Sequence, residues 1–154
     1  MSRENLFKAK YVDTGEWVEG SLVHYKAGKK HFIITDNDFQ WGMYGSYSYD
    51  GDFTEIDETT ICQYTGLTDK NGNKIWENDV IKTYNSSGIE CHIEQIIWSD
   101  YGLNEGWCSK GIKSLMKYDK RVFNTGFGKS DARKCEVIGN IFDNPELLKG
   151  SEEE

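Results

Sequence analysis

The chain has 154 residues, 26 Asp and Glu against 18 Lys and Arg, and a net charge of -8, with length enough to bury a core without disulfides or metals. A pI near 4.9 works against non-specific attraction to nucleic acid, which depends on Lys and Arg displacing counterions from phosphates. No apolar run approaches the ~20 residues of a membrane-spanning helix, and the opening Met1-Ser2-Arg3-Glu4-Asn5 is too polar for a secretory signal.

A soluble protein of a reducing cytoplasm is therefore expected, with no membrane partner and with Cys62, Cys91, Cys108 and Cys135 as reduced, small buried hydrophobes. Only 37% of residues are hydrophobic, but 14% are aromatic, and 16 Gly stand against a single Pro. Tyr, Trp, Ile and Thr set among Asn, Asp and Gly describe strands joined by tight turns, so the fold class is mainly β.

In chain order, Phe7 to Tyr25 reads as a hairpin turning at Asp13-Thr14-Gly15, and His31-Phe32-Ile33-Ile34 as a short strand. Residues 39 to 53 alternate Gly and Ser with aromatics. They present either an aromatic binding surface at Trp41, Tyr44, Tyr47 and Tyr49, or an aromatic loop laid on the sheet or on a second subunit. Thr59 to Tyr64 reads as a strand, followed by a hairpin from Thr65 to Trp76 turning at Asn71-Gly72. Val80 to Tyr84 is expected as a core strand and Ile89 to Trp98 as a long one. Residues 100 to 111 read as irregular, and 112 to 120 hold helical spacing for only two turns. Cys135 to Phe142 is expected as the last strand, before a short helix with Asn144 as N-cap and Pro145 at its first position.

Motifs for chemistry are sparse. Asp69-Lys70-Asn71-Gly72-Asn73 opens like a calcium loop, but Lys74 and Val80 occupy positions where such a loop needs Gly and Glu, which leaves a turn. Asp36, Asp38, Asp50 and Asp52 form a weak cation candidate, and Cys62, Cys91, His92, Cys108 and Cys135 lack zinc-knuckle spacing. His24, His31 and His92 have no sequence context pairing them with a nucleophile, and no phosphate-binding or dinucleotide fingerprint occurs. No catalytic residue, metal site or cofactor is assigned. The one basic stretch runs from Lys110 through Lys113, Lys117 and Arg121 to Arg133 and Lys134.

Several segments carry a resemblance: Gln63-Tyr64-Thr65-Gly66-Leu67, Asp69-Lys70-Asn71-Gly72, Ile75-Trp76-Glu77-Asn78-Asp79-Val80-Ile81, Glu136-Val137-Ile138-Gly139-Asn140-Ile141-Phe142 and Asn144-Pro145-Glu146-Leu147. The chain resembles the YopX family of bacteriophage and prophage proteins, with a weaker match from Tyr11 to Gly20-Ser21-Leu22. Asn78 stands where that family commonly has Gly, a change that a left-handed turn tolerates. The resemblance implies one β-rich domain over residues 1–150, comprising an N-terminal hairpin region at about 6–58 and an SH3-like barrel at about 59–148 with a short C-terminal helix, before a disordered tail at 151–154. It brings no established activity.

Abundant Trp and Tyr without catalytic motifs lead to the expectation of a non-enzymatic accessory module that binds a phage or host protein or itself through aromatic surface. The alternative is a small barrel binding single-stranded nucleic acid, with Lys110, Lys113, Lys117 and Arg121 on phosphates. A metal-dependent enzyme using Asp36, Asp38 or His92 is the third reading.

Overall fold

A computed structural model describes residues 5–35, 54–99 and 105–150, together with the strand pairing of 39–41 and 47–49. The chain divides into two compact units, Met1–Tyr64 and Thr65–Glu154.

In the first unit β1 (Phe7–Lys10), β2 (Trp17–Tyr25) and β3 (Lys30–Ile34) form an antiparallel meander in the order β3-β2-β1. Gly15, at φ 72°, supplies the left-handed residue of the first turn, where its N–H donates to the Tyr11 carbonyl at 2.9 Å. Alternation turns Ala9, Val18 and Ile33 inward against Ile56, with Phe7, Tyr11, Leu22 and Ile61 around them. Where a strand is expected from Thr59, the backbone instead makes a 3₁₀ turn over Glu58–Thr60. The Asp57 carboxylate accepts the Thr59 hydroxyl (2.7 Å) and N–H (3.0 Å), and these bonds hold its pKa below the usual range.

The stretch expected as an aromatic loop contains two strands, β4 (Phe39–Trp41) and β5 (Tyr47–Tyr49), paired as a ribbon of their own. Its register sets Phe39 opposite Tyr49, Gln40 opposite Ser48 and Trp41 opposite Tyr47.

The strand β6 (Cys62–Thr68) begins beside β1, with Cys62 opposite Lys8 and Gln63 opposite Phe7. Its later residues belong to the second unit and pair with β7 (Lys74–Trp76). Five further strands follow: β8 (Asp79–Tyr84), β9 (Glu90–Ser99), β10 (Gly106–Ser114), β11 (Asn124–Gly126) and β12 (Cys135–Asn140). They form an antiparallel sheet in the order β11-β10-β9-β8-β12, and among the described residues no pairing of β11 with β12 closes it. Its core is Ile75, Ile81, Ile96, Phe127, Ala132 and Cys135, with Leu67, Trp107 and Val137 packed around it.

Three expectations are corrected here. Residues 106–114, read as irregular and then weakly helical, form β10, the main partner of β9. The bulge between Gly111 and Lys113 breaks the two-residue alternation that would have exposed the strand in sequence. The helix lies elsewhere, as α1 (Lys129–Ala132), where Asp131 Oδ2 accepts the Gly128 N–H at 2.9 Å. At the C-terminal end β12 stops at Asn140, and Pro145–Leu148 is a 3₁₀ turn. Asn144 holds the N-cap position with Pro145 following it, as expected, but its side chain makes no capping bond, and its Oδ1 accepts the Asn140 N–H at 3.3 Å.

Asn78 does adopt the left-handed conformation expected of it, at φ 68°. Its N–H donates to the Ile96 carbonyl at 2.8 Å and its Oδ1 accepts from Gln95 Nε2 at 3.1 Å. Asn78→Gly is expected to leave stability within about 1 kcal/mol, because relief at positive φ offsets the lost Gln95 bond. Asn78→Val should cost about 2 kcal/mol, because a β-branched residue is strained there. Urea denaturation of the two variants checks the contrast.

Candidate functional site: a polar pocket on the second sheet

The inward face of β8, β9 and β10 is not uniformly apolar. Register places Ile81 opposite Glu94, and Ser109 opposite both Ile96 and Thr125. The inner face thus carries a carboxylate and two hydroxyls beside the core Ile residues. Together with Phe127, Asp131 and Lys134 they line a pocket of about 190 Å³, walled further by Thr83 and Tyr84.

Ser109 is 2% exposed, and its hydroxyl faces the same pocket as the Glu94 carboxyl. Ser109 Oγ and Thr125 Oγ1 are 3.2 Å apart, a hydrogen bond in which either hydroxyl can be the donor. Burial pushes the Glu94 carboxyl above its ordinary pKa; Ser109 and His92 pull it down, and the charge of Asp131 pushes it up. Cys135, in the same core, has its thiol pushed up to about 12 by burial and then by the charges of Asp69, Glu94, Asp131 and Asp79. That thiol stays protonated, and the field it reports is negative.

Because the folded pKa of Glu94 is raised, the folded state binds its proton more tightly than the unfolded state. Stability contributed by this group is full at low pH and is lost as pH rises through the raised value. Glu94→Gln is therefore expected to stabilise the second unit at neutral pH and to lose that advantage in acid, a comparison that thermal denaturation at pH 7 and pH 4 makes directly.

The residues singled out from sequence fall as follows. Trp41, Tyr47 and Tyr49 lie in the β4–β5 ribbon, and Tyr44 lies outside the described residues, as do Asp36, Asp38, Asp50 and Asp52. Lys110 stands opposite Gln95 and Lys113 opposite Ile93. The bulge at residue 112 restores the phase, so two lysines three apart share one face. Lys117 lies over the Tyr118 ring at 5.2 Å, and Arg121 makes a fork to Asp119, Nε to Oδ1 at 2.9 Å and Nη2 to Oδ2 at 2.7 Å. Its charge is met locally, and the same bonds hold the Asp119 carboxyl far below the usual range. All four cysteines are free, Cys62 and Cys135 buried and Cys91 and Cys108 half-buried. Among the described residues no three of His, Cys, Asp or Glu gather to hold a metal. His92 Nε2 is buried and without a hydrogen-bond partner among the described residues, so it activates no hydroxyl there.

The first unit has a polar group of its own. His24 and His31 face each other across β2 and β3, with His24 Nδ1 2.9 Å from His31 Nε2, so one proton serves both facing nitrogens. His31 Nδ1 lies 3.4 Å from Glu58 Oε2, and Lys30 pairs with Glu55 at 3.2 Å. Lys30 and Glu55 are matched as an ion pair, whereas the charge that acts favourably on the Glu94 carboxylate is that of His92. Reasoning from sequence missed the Glu94 pocket because one Glu inside an apolar strand gives no signal until strand register brings Ser109 and Thr125 beside it.

No helix among the described residues is long and apolar enough to cross a membrane. Among curated proteins none matches this sequence. A solved structure, that of protein EF1440 from Enterococcus faecalis, is similar with a TM-score of 0.55 at 23% identity, covering 96% of this chain and 100% of that one, a likeness of fold alone. The family model described as YopX protein matches residues 6–149. With nearly its whole length matched, the chain belongs to the YopX family.

Proposed function

We propose that the protein is a non-enzymatic binding module of a bacteriophage or prophage, working in the host cytoplasm and joining a phage or host protein, or a second copy of itself, through the aromatic ribbon of β4 and β5. The observation that supports this reading is the ribbon's register, which sets Phe39 against Tyr49 and Trp41 against Tyr47 in a two-stranded sheet hydrogen-bonded to neither larger one among the described residues. A lone two-stranded ribbon is marginal in water and needs a covering surface, and Trp and Tyr are the side chains that anchor interfaces. The five-stranded sheet of the second unit has register shifts at Gly111/Lys113 and Val137/Gly139, and since such irregularities favour strand bending, they support an SH3-like arrangement as the scaffold.

Light scattering of the purified chain tests the self-association arm. A dimer or larger species is expected, returning to monomer in the double variant Trp41→Ser, Tyr47→Ser. A strict monomer that also captures no protein from host lysate removes the reading.

A second reading rests on Lys110 and Lys113 sharing a face of the sheet, where they would meet phosphates of a single strand. It predicts affinity for oligonucleotides that falls with salt and is lost in Lys110→Glu, Lys113→Glu. Salt-independent or unchanged binding rejects it.

A further inference from the structure

Two of the chain's three histidines form a direct cross-strand pair, His24 on β2 opposite His31 on β3. Their facing nitrogens, His24 Nδ1 and His31 Nε2, stand 2.9 Å apart, and the ring centroids 4.4 Å apart at a tilt of 47°. A straight N–H···N bond of that length would hold the centroids about 5.1 Å apart, since each nitrogen lies ~1.1 Å from its ring centre. The observed rings are closer, so the contact is bent. Two imidazole nitrogens about 2.05 Å from one ion, meeting it at a right angle, lie about 2.9 Å apart with centroids about 4.5 Å apart. Both observed distances match that bite. A tetrahedral ion would need the nitrogens about 3.3 Å apart.

The surroundings suit a cation. Glu58 Oε2 lies 3.4 Å from His31 Nδ1. A carboxylate on that side favours the hydrogen on Nδ1, leaves the Nε2 lone pair facing His24 and raises the basicity of the ring. His24 is exposed, so its own hydrogen can sit on Nε2, toward water. Lys30, the cation next to His31, is paired with Glu55 at 3.2 Å. The β2–β3 ladder, paired from Ser21–Ile34 to Tyr25–Lys30, fixes both side chains on one rigid hairpin. We infer that His24 and His31 chelate one divalent transition-metal ion of right-angled preference, nickel or copper, with water completing its coordination and Glu58 as the positioning carboxylate behind His31. The ion takes the place of the hydrogen that bridges the two nitrogens. The site is separate from the aromatic ribbon and goes beyond the binding-module reading.

The test is a calorimetric titration of the whole, reduced chain without a histidine tag, using Ni(II) and Zn(II), with the ring resonances of the three histidines followed in parallel. Ni(II) is the probe because Cu(II) would oxidise the free cysteines. It should saturate at one ion per chain with a Kd on the order of 10 μM, and Zn(II) should bind these rings more weakly. The His24 and His31 rings should move together, while His92, whose Nε2 is buried, stays. His24→Gln and His31→Gln should each weaken Ni(II) binding at least tenfold. Glu58→Ala should weaken it roughly tenfold and redistribute the His31 ring hydrogen between its two nitrogens, read from their chemical shifts.

No saturable Ni(II) binding, full binding in either His variant, or movement of His92 in place of the pair overturns the inference. Zn(II) binding more tightly than Ni(II) at these rings overturns the right-angled geometry. If His31→Gln does not fold, His24→Gln, at an exposed position, and the wild-type ring spectra still decide. The ribbon variant Trp41→Ser, Tyr47→Ser should bind Ni(II) as the wild type does, so failure of one reading leaves the other standing.

Discussion

Replacing Asp69 with Ala is expected to destabilise the second unit by roughly 3 kcal/mol, because it strands buried backbone donors on two separate elements. Asp69 is buried, and its Oδ1 accepts the N–H groups of Asn71 at 2.9 Å and Asn73 at 3.0 Å. Its Oδ2 accepts the N–H of Val137, on β12, at 2.9 Å. One side chain thus closes the hairpin turn and ties it to a strand 68 residues away. Burial on its own would raise this carboxyl; the donors on Val137, Asn73 and Asn71 outweigh it and hold the pKa below its ordinary value.

The sign follows from that direction. Asp69 contributes its stability in full above the unfolded carboxylate pKa, and the contribution is lost as pH falls through the lower folded value. The gap between wild type and Asp69→Ala should therefore be widest at neutral pH and narrow in acid. Asp69→Asn, which keeps the shape but replaces one acceptor with a donor, should fall between the two. Hydrogen exchange of the β7, β8 and β12 amides measures the loss within this unit.

The second large effect belongs to the first unit. Gly20→Ala is expected to cost roughly 3 kcal/mol, because an added Cβ would fall on the carbonyl oxygen of Ile34 and within 2.9 Å of Ile33 Cγ2. The obstacle is backbone of the neighbouring strand, which cannot swing aside as a flexible side chain can. Gly15→Ala is the matched control. Its Cβ meets nothing within 4 Å, so it carries only the strain of a left-handed residue, about 1 kcal/mol. Exchange rates of β2 and β3 amides should separate the two variants clearly.

What could be read from the residues divides along physical lines. The hairpin around Asn71-Gly72 was legible because turn chemistry is local: Gly72 sits at φ 84°, and its N–H donates to the Asp69 carbonyl at 3.0 Å. The acid that resembled the start of a calcium loop was also informative. Its spacing to Asn71 and Asn73 suits backbone N–H groups instead of an ion. By contrast, β10 presents Ser109 and Ser114 inward, where hydrophobics are expected, and a bulge interrupts its period. Such a strand reads as a loop. The pocket was invisible for a related reason, since Glu94, Ser109 and Thr125 sit on three strands and meet only through pairing register. The aromatic stretch was noticed from composition, but its six aromatic residues among Gly and Ser gave no clear period, and only the pairing places Trp41 against Tyr47.

The central claim is that this YopX chain acts by holding another protein through its aromatic ribbon. It is met most directly by purifying the tagged wild type and the Trp41→Ser, Tyr47→Ser variant from host cells during phage growth, each with and without nuclease, and identifying what remains bound. A protein recovered in stoichiometric amount with the wild type, resistant to nuclease and absent from the variant, is the predicted result. Recovery of nucleic acid alone, loss of every partner on nuclease treatment, or equal capture by the variant contradicts it.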